Sequence, residues 1–243
     1  MSSLYPRDFI VTLIILLIPL CLALNADSYG QRIMTLSGIY AIAAMGYHLI
    51  FGRLGALSLA QGCFFGLGAY SAGLIGVHFE LSFLTCLLFA VIFTALVALI
   101  IALPVLRLES HYFALATLGI AQVALLIAIN WTEVTGGANG TYGIPQLDLF
   151  GMELSSSNHV LIFVWVILVI IVSLTFWIMR APFNYQVTLL KDTPEVAASS
   201  GIDIGRWRLT FFIMSAIFGA TAGALQAYTC LLYTSDAADE LRS

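Results

Sequence analysis

Long uninterrupted apolar runs constrain this chain more than any other feature of its sequence. Seven of them occupy residues 9–24, 33–51, 57–77, 81–103, 112–130, 160–179 and 209–232. Most of the runs approach the roughly 20 apolar residues that an α-helix needs to cross a bilayer. A membrane β-barrel would instead show short segments with alternating apolar and polar residues. We therefore predict an all-α, polytopic integral membrane protein with about seven membrane segments.

The composition agrees with this class and excludes others. Of the 243 residues, 61% are hydrophobic and 9% are charged, whereas soluble domains carry about 25% charged residues. The sequence has no basic patch of the kind that nucleic acid requires. It also has no GxxxxGK-(S/T), HExxH or GxSxG motif, which predicts a protein that is not an enzyme and needs no cofactor. Four cysteines lie inside apolar runs without CxxC spacing, which indicates buried side chains rather than metal ligands: Cys21, Cys63, Cys86 and Cys230.

The runs divide the chain into one transmembrane domain over 1–230 and a short tail. Residues 131–159 form a predicted external loop, and residues 180–208 form a polar internal loop with seven charges. The first run resembles a signal peptide, but it has a poor cleavage site, which favours a retained helix. After residue 230 the sequence changes abruptly to the small and acidic tail 231–243. We predict that this tail is a non-native end or a truncation point, the alternative being a genuine short tail.

Basic residues orient the predicted helices. If the 180–208 loop is cytoplasmic, seven basic residues lie inside and only Arg32 lies outside. This distribution fits the positive-inside rule. We therefore expect a cytoplasmic 180–208 loop. The inside set is Arg7, Arg53, Arg107, Arg180, Lys191, Arg206 and Arg208.

The third run is rich in glycine. One interpretation is a broken helix that lines a translocation path, with Ser58 and Gln61 as its polar lining and Gly62 and Gly66 beside them. The other is a continuous helix whose Gly62-xxx-Gly66 pattern packs closely on a neighbour. Both interpretations predict a special role for the same short stretch.

The internal loop contains one short predicted helix, over 194–200. Thr193 is placed to cap it, Pro194 fits its first turn, and Glu195 complements its dipole. Gly201 is suited to end it. The helix either seats in a groove on another protein or lies on the membrane surface as a connector. Because the membrane segments hold almost no ionisable residues, energy for any transport would have to come from outside them.

Several motifs, in order along the chain, resemble the permeases of branched-chain amino acid ABC transporters, and specifically the LivM type. The resemblance is carried by LSLAQGCFFGLGAY at 57–70, LPVLRL at 103–108, YFALATL at 112–118, TGG at 135–137, NG at 139–140, IP at 144–145 and the 195–203 stretch EVAASSGID. The last stretch is similar to that family's coupling loop. On this resemblance Glu195, Ala197, Ala198 and Gly201 are expected to couple the chain to an ATPase.

The resemblance implies an importer in a bacterial plasma (inner) membrane. Its expected partners are ABC ATPase subunits, a second related permease subunit, and a periplasmic or extracellular substrate-binding protein, together with the lipid bilayer. The expected substrates are branched-chain or related amino acids, with urea and amides as the alternative. A secondary carrier and a non-transporting membrane scaffold stay open as other classes. No nucleic acid, metal or cofactor is expected.

Overall fold

The computed structural model describes residues 5–24, 26–108, 110–141, 143–145, 147–149, 152–153, 156–179 and 183–240. Nearly all of this part is helical. In chain order the helices are α1 (Tyr5–Leu24), α2 (Ser28–His48), α3 (Gln61–Phe79), α4 (Phe83–Val105), α5 (Ser110–Asn130), α6 (Thr132–Thr135), α7 (Ser157–Ile178), α8 (Phe183–Asp192), α9 (Pro194–Ser199) and α10 (Ile204–Glu240). A π-helical turn, Leu49–Leu54, continues α2, and a 3₁₀ turn, Gly137–Asn139, follows α6.

Six helices in the described part are long and apolar enough to cross a membrane. They are Ser28–Leu54, Gln61–Phe79, Phe83–Val105, His111–Asn130, Ser157–Ile178 and Ile204–Cys230. A shorter apolar helix, Val11–Leu24, lies before them. Together they correspond to the seven apolar runs and confirm the all-α polytopic membrane class.

Helix α10 is the centre of the bundle. Of its membrane-spanning part, 67% is buried, compared with 11% for α5. Helices α2, α3 and α4 pack against α10, and α7 packs against α2. Aromatic side chains fill the contacts, with Phe64 edge-on to Phe212 at 5.4 Å and Phe83 edge-on to Tyr228 at 4.9 Å between ring centroids. Large apolar side chains at the outer surface of the bundle suit contact with lipid, as Leu96 and Ile100 of α4 do.

The closest approach in the bundle joins α3 to α10 through glycines. A β-carbon on Gly68 of α3 would overlap the backbone of Ala220, and one on Gly223 of α10 would overlap the Phe65 carbonyl. A β-carbon on Gly219 would lie 3.0 Å from the Phe64 side chain. The Gly219-xxx-Gly223 pair therefore makes the small-residue contact that lets two membrane helices touch.

The close-packing interpretation assigns the helix contact of α3 to the wrong glycines, Gly62 and Gly66. Nothing lies within 4 Å of a β-carbon built on either residue. Gly66 and Gly68 are two residues apart, which turns them about 200° from each other around an α-helix. The face that carries Gly68 packs on α10, and the one that carries Gly62 and Gly66 does not.

The 131–159 loop is fastened to the start of α4. Strand β1 (Asp148–Leu149) pairs antiparallel with β2 (Met152–Glu153). The Phe83 amide at the first turn of α4 donates a 2.8 Å hydrogen bond to a carboxylate oxygen of Asp148. A helix leaves its first amides unsatisfied and attracts negative charge there, so Asp148 stabilises this end of α4.

At its C-terminal end, α10 runs to Glu240 and so includes most of the predicted tail 231–243. The side chains of 231–240 and the whole of 241–243 lie outside the described residues. The origin of the tail stays a prediction.

The glycine contact gives a first test. Substituting Gly68→Ala should destabilise the chain by about 1–3 kcal/mol, because the new methyl group must displace the α10 backbone. Substituting Gly66→Ala on the same helix should be neutral or stabilising by up to about 1 kcal/mol, because it removes a poor helix former and meets open space. Thermal unfolding of both variants in the same detergent measures the difference. Equal stability would contradict the close contact.

Candidate functional site

The chain leaves the helical form over residues 55–60, between the π-helical turn that continues α2 and the start of α3. This break lies at one end of the bundle. Helix α2 first loosens into the π-helical turn Leu49–Leu54. Gly55 then adopts φ +68°, in the left-handed region that only glycine enters without strain. Helix α3 begins at Gln61, four residues later than the apolar run indicates. The glycines of this run, from Gly62 to Gly76, all lie in the unbroken α3, and the break takes only the first four residues of the run.

Thr117 of α5 satisfies part of the exposed backbone of the break. The Leu59 amide donates a 3.0 Å hydrogen bond to the Thr117 hydroxyl, which itself donates to the Ala114 carbonyl. Thr117 is fully buried, and Ser58 is 2% exposed. Irregular backbone is tolerated at membrane depth only where protein groups replace water as partners. Thr117 supplies such a group from 58 residues away in sequence.

Gln61 connects three membrane helices at the end of the break. Its side-chain amide donates to the Ala43 carbonyl of α2 at 3.0 Å and to the Ser215 carbonyl of α10 at 3.5 Å. The Ser215 hydroxyl donates back to the Gln61 side-chain oxygen at 2.8 Å. The Ser58 hydroxyl accepts a 3.5 Å hydrogen bond from the Ala60 amide, so the described polar contacts of Ser58 and Gln61 are to protein groups. That they, Gly62 and Gly66 line a path stays a prediction.

In the described part of the 180–208 loop, two short helices, α8 and α9, precede α10. Helix α9 spans Pro194–Ser199, as the sequence indicates to within one residue. It ends in a Schellman motif: the Gly201 amide donates to the Ala198 carbonyl, and the Ile202 amide donates to the Ala197 carbonyl. Gly201 has φ +78°, which explains a glycine at this position.

Thr193 precedes α9 but does not cap it with its side chain. The hydroxyl faces back to the Leu189 carbonyl of α8, 3.5 Å away. The predicted Thr193 cap is therefore wrong. The physical reason is that α8 runs to Asp192 and Thr193 continues its last turn: the Thr193 amide also donates to the Leu189 carbonyl, at 2.9 Å, so the side chain faces back along α8.

The four residues predicted to couple the chain to an ATPase lie on different sides of α9. Glu195, Ala198 and Gly201 are exposed, and so is the neighbouring Val196 at 49%. Ala197 is fully buried. The outward surface of α9 therefore combines the small or apolar side chains of Val196, Ala198 and Ser199 with one carboxylate, while buried Ala197 packs against the rest of the chain.

Lys191 connects the internal loop to the break, a role that sequence reasoning missed. Its ammonium group donates a 3.0 Å hydrogen bond to the Gly52 carbonyl in the π-helical turn. Its Cγ lies 3.5 Å from where a β-carbon of Gly55 would be. The only signal in the sequence was that Lys191 is the single lysine of the chain, which does not reveal its partner.

Charge is distributed unequally between the two ends of the bundle. Lys191 reaches the π-helical turn that contains Arg53, and Arg107 and Arg208 line one cavity beside Gly55. Asp148 lies at the opposite end of α4 from Arg107. In the described residues no cluster of three His, Cys, Asp or Glu side chains could hold a metal ion.

The Lys191 contact gives a second prediction. Substituting Lys191→Met removes the hydrogen bond while keeping a long apolar side chain. Because the site is exposed, we expect a loss of about 1 kcal/mol, which speeds amide exchange in residues 49–54 about fivefold. Hydrogen exchange of the purified chain measures this. Arg206→Met is the matched control, because Arg206 pairs with Asp203 on the surface and should leave residues 49–54 unchanged; an equal effect would argue against the contact.

A third prediction concerns the Gln61–Ser215 pair. Gln61→Leu and Ser215→Ala should each destabilise the chain, and together they should cost less than their sum. Polar pairs between membrane helices couple by about 0.6 kcal/mol on average and at most about 1.7 kcal/mol. A double-mutant cycle from unfolding of the four proteins gives this coupling energy. Strict additivity would mean that the two side chains do not interact.

The family described as "branched-chain amino acid transport system / permease component" matches residues 30–238. The high-affinity branched-chain amino acid transport system permease protein LivM of Escherichia coli (strain K12) is 30% identical over 249 residues. LivM of Salmonella typhimurium (strain LT2) is 29% identical over the same length. Both alignments cover 93% of this chain and 58% of the relative, so the chain spans about three-fifths of their length. No solved structure matches the chain.

Proposed function

The chain belongs to the permease component family of branched-chain amino acid transport systems, and from that membership we propose that it is the membrane-spanning permease subunit of an ATP-driven importer. Its proposed substrates are branched-chain or related amino acids, as the names of both relatives indicate. Urea or amides are the alternative substrates. The observation that carries the proposal is the exposed helix α9, which Lys191 of the neighbouring α8 ties to the break in the membrane domain.

Helix α9 is the proposed docking element for an ABC ATPase subunit. It is short, it projects small side chains outward, and its ends are fixed by Pro194 and by the Gly201 motif. Such a helix fits a groove on a partner with little loss of conformational freedom. Glu195, Ala198 and Gly201 would face the partner, and buried Ala197 would keep the helix seated.

Two routes carry a displacement of α9 into the membrane domain. Through α8, Lys191 is bonded to Gly52, three residues before the left-handed Gly55. Through 200–203, α9 leads directly into α10, the most buried helix. Both routes end at the break, where Ser215 of α10 bonds Gln61. Ser58, Gln61, Gly62 and Gly66 are the proposed lining of the path, brought into use when the break moves.

The proposed location is a bacterial plasma membrane, with residues 180–208 in the cytoplasm. Arg53, Arg107 and Lys191 share one end of the bundle, which supports this orientation under the positive-inside rule. The proposed energy source is ATP hydrolysis by a partner subunit, which the family membership of the chain supports. The other proposed partners are a second related permease subunit and a substrate-binding protein outside the membrane.

A pair of alanines tests the docking role. Ala198→Trp places a bulky group on the exposed face of α9, so the chain should fold normally but lose co-purification with the ATPase subunits at least about tenfold, a cost of about 1.4 kcal/mol. Ala197→Trp places the same group in the packed interior, so it should destabilise the chain itself by about 1–3 kcal/mol. Co-expression, affinity purification and thermal unfolding separate the two effects.

The matched control for this test lies at the far end of the bundle. Tyr29 is 75% exposed, and Tyr29→Ser should keep both stability and ATPase association. Undiminished association in Ala198→Trp and in Glu195→Ala would count against docking through α9. ATP-dependent uptake of labelled leucine, compared with urea, into vesicles that contain the assembled subunits tests the substrate class directly.

A further inference from the structure

A cavity of about 260 Å³ opens at the end of the bundle that carries the internal loop. Gly55 and Ala56 of the break form one side of it. The turn after α4 and the first part of α10 form the others. Two of the lining residues, Arg107 and Arg208, are basic. Most of the others are apolar, among them Leu54, Leu106, Phe113 and Phe212.

Among the residues that the structure describes, the walls of this cavity carry positive charge and no negative charge. None of the ten described residues that line it is aspartate or glutamate. The structure shows no ion pair for Arg107 or Arg208 among the residues it describes, whereas the nearby Arg206 pairs with Asp203 at 3.0 Å. Two guanidinium groups beside apolar walls therefore favour a ligand that joins an anion to a hydrocarbon body.

We propose that this cavity binds the headgroup of an anionic phospholipid from the surrounding bilayer, with its phosphate held by Arg107 and Arg208. Guanidinium groups match phosphate oxygens with paired hydrogen bonds. Basic pockets between membrane helices near the cytoplasmic surface are suited to anionic headgroups. Leu106 and Phe113 offer apolar surface to the part of the lipid next to its phosphate.

The same lining disfavours zwitterions. A free amino acid or a phosphatidylethanolamine brings an ammonium group, and the described part of the lining offers no carboxylate to receive it. Its volume lies below the range of about 300–1,000 Å³ that is usual for drug-sized ligands, which fits a headgroup rather than a large molecule. The binding of lipid is independent of the proposed transport function and of any ATPase partner.

The test compares two lipids with identical acyl chains on the purified full chain. Native mass spectrometry should show phosphatidylglycerol binding more tightly than phosphatidylcholine. Arg107→Gln and Arg208→Gln should each weaken phosphatidylglycerol binding about fivefold, and both together about thirtyfold. Phosphatidylcholine binding should stay unchanged. Arg206→Gln is the control for general surface charge, because its guanidinium group is exposed and paired, and it should have no effect.

A second measurement needs no substitution and so does not depend on the variants folding. With phosphatidylglycerol present, amide exchange of the unmodified chain should slow at residues 54–56 and 106–108. Equal binding of the two lipids, an equal loss in Arg206→Gln, or slowed exchange only elsewhere would each overturn the proposal. Displacement of phosphatidylglycerol by leucine would also overturn it, because the cavity would then be part of the amino acid path.

Discussion

The rest of this structure depends on one constraint, that backbone groups at membrane depth need protein partners when the chain leaves the helical form. The break at 55–60, at one end of the bundle, is one place where the described chain leaves the helical form between two membrane helices. The Thr117 hydroxyl accepts a hydrogen bond from the Leu59 amide, and the side-chain amide of Gln61 donates hydrogen bonds to carbonyls of α2 and α10. These bonds fix the break to its neighbours, so α5 and α10 both have to move with it or release it.

Close packing between α3 and α10 sets what such a movement costs. Gly68, Gly219 and Gly223 bring the two backbones into direct contact, while Phe64 packs edge-on to Phe212 beside them. Packed interiors are stiff and transmit displacement rather than absorb it. A shift of α10 is therefore passed to α3 and to the break at its start. The glycine contact and the Gln61–Ser215 bonds act on the same pair of helices.

The sequence predicts the elements of this fold better than their contacts. Hydropathy locates the membrane helices, and Pro194 and Gly201 locate α9, because each of these signals is local. The start of α3 is predicted four residues early, since Leu57 and Leu59 are as apolar in a break as in a helix. Neither the Thr117 bond nor the Lys191 bond has a local signal, because their partners lie 58 and 139 residues away. For the same reason glycine spacing could not show which face of α3 meets α10.

Gly55 is where the separate parts of the molecule meet. The Lys191 side chain, from the 180–208 loop, lies against Gly55. Gly55 also lines the cavity that contains Arg107 and Arg208. Its left-handed conformation makes it the joint between the π-helical turn and the break. A force on α9 and an anion in the cavity would therefore act on the same residue. Because φ +68° favours glycine and Gly55 adjoins both contacts, it is the position at which substitution should disturb folding, coupling and lipid binding together.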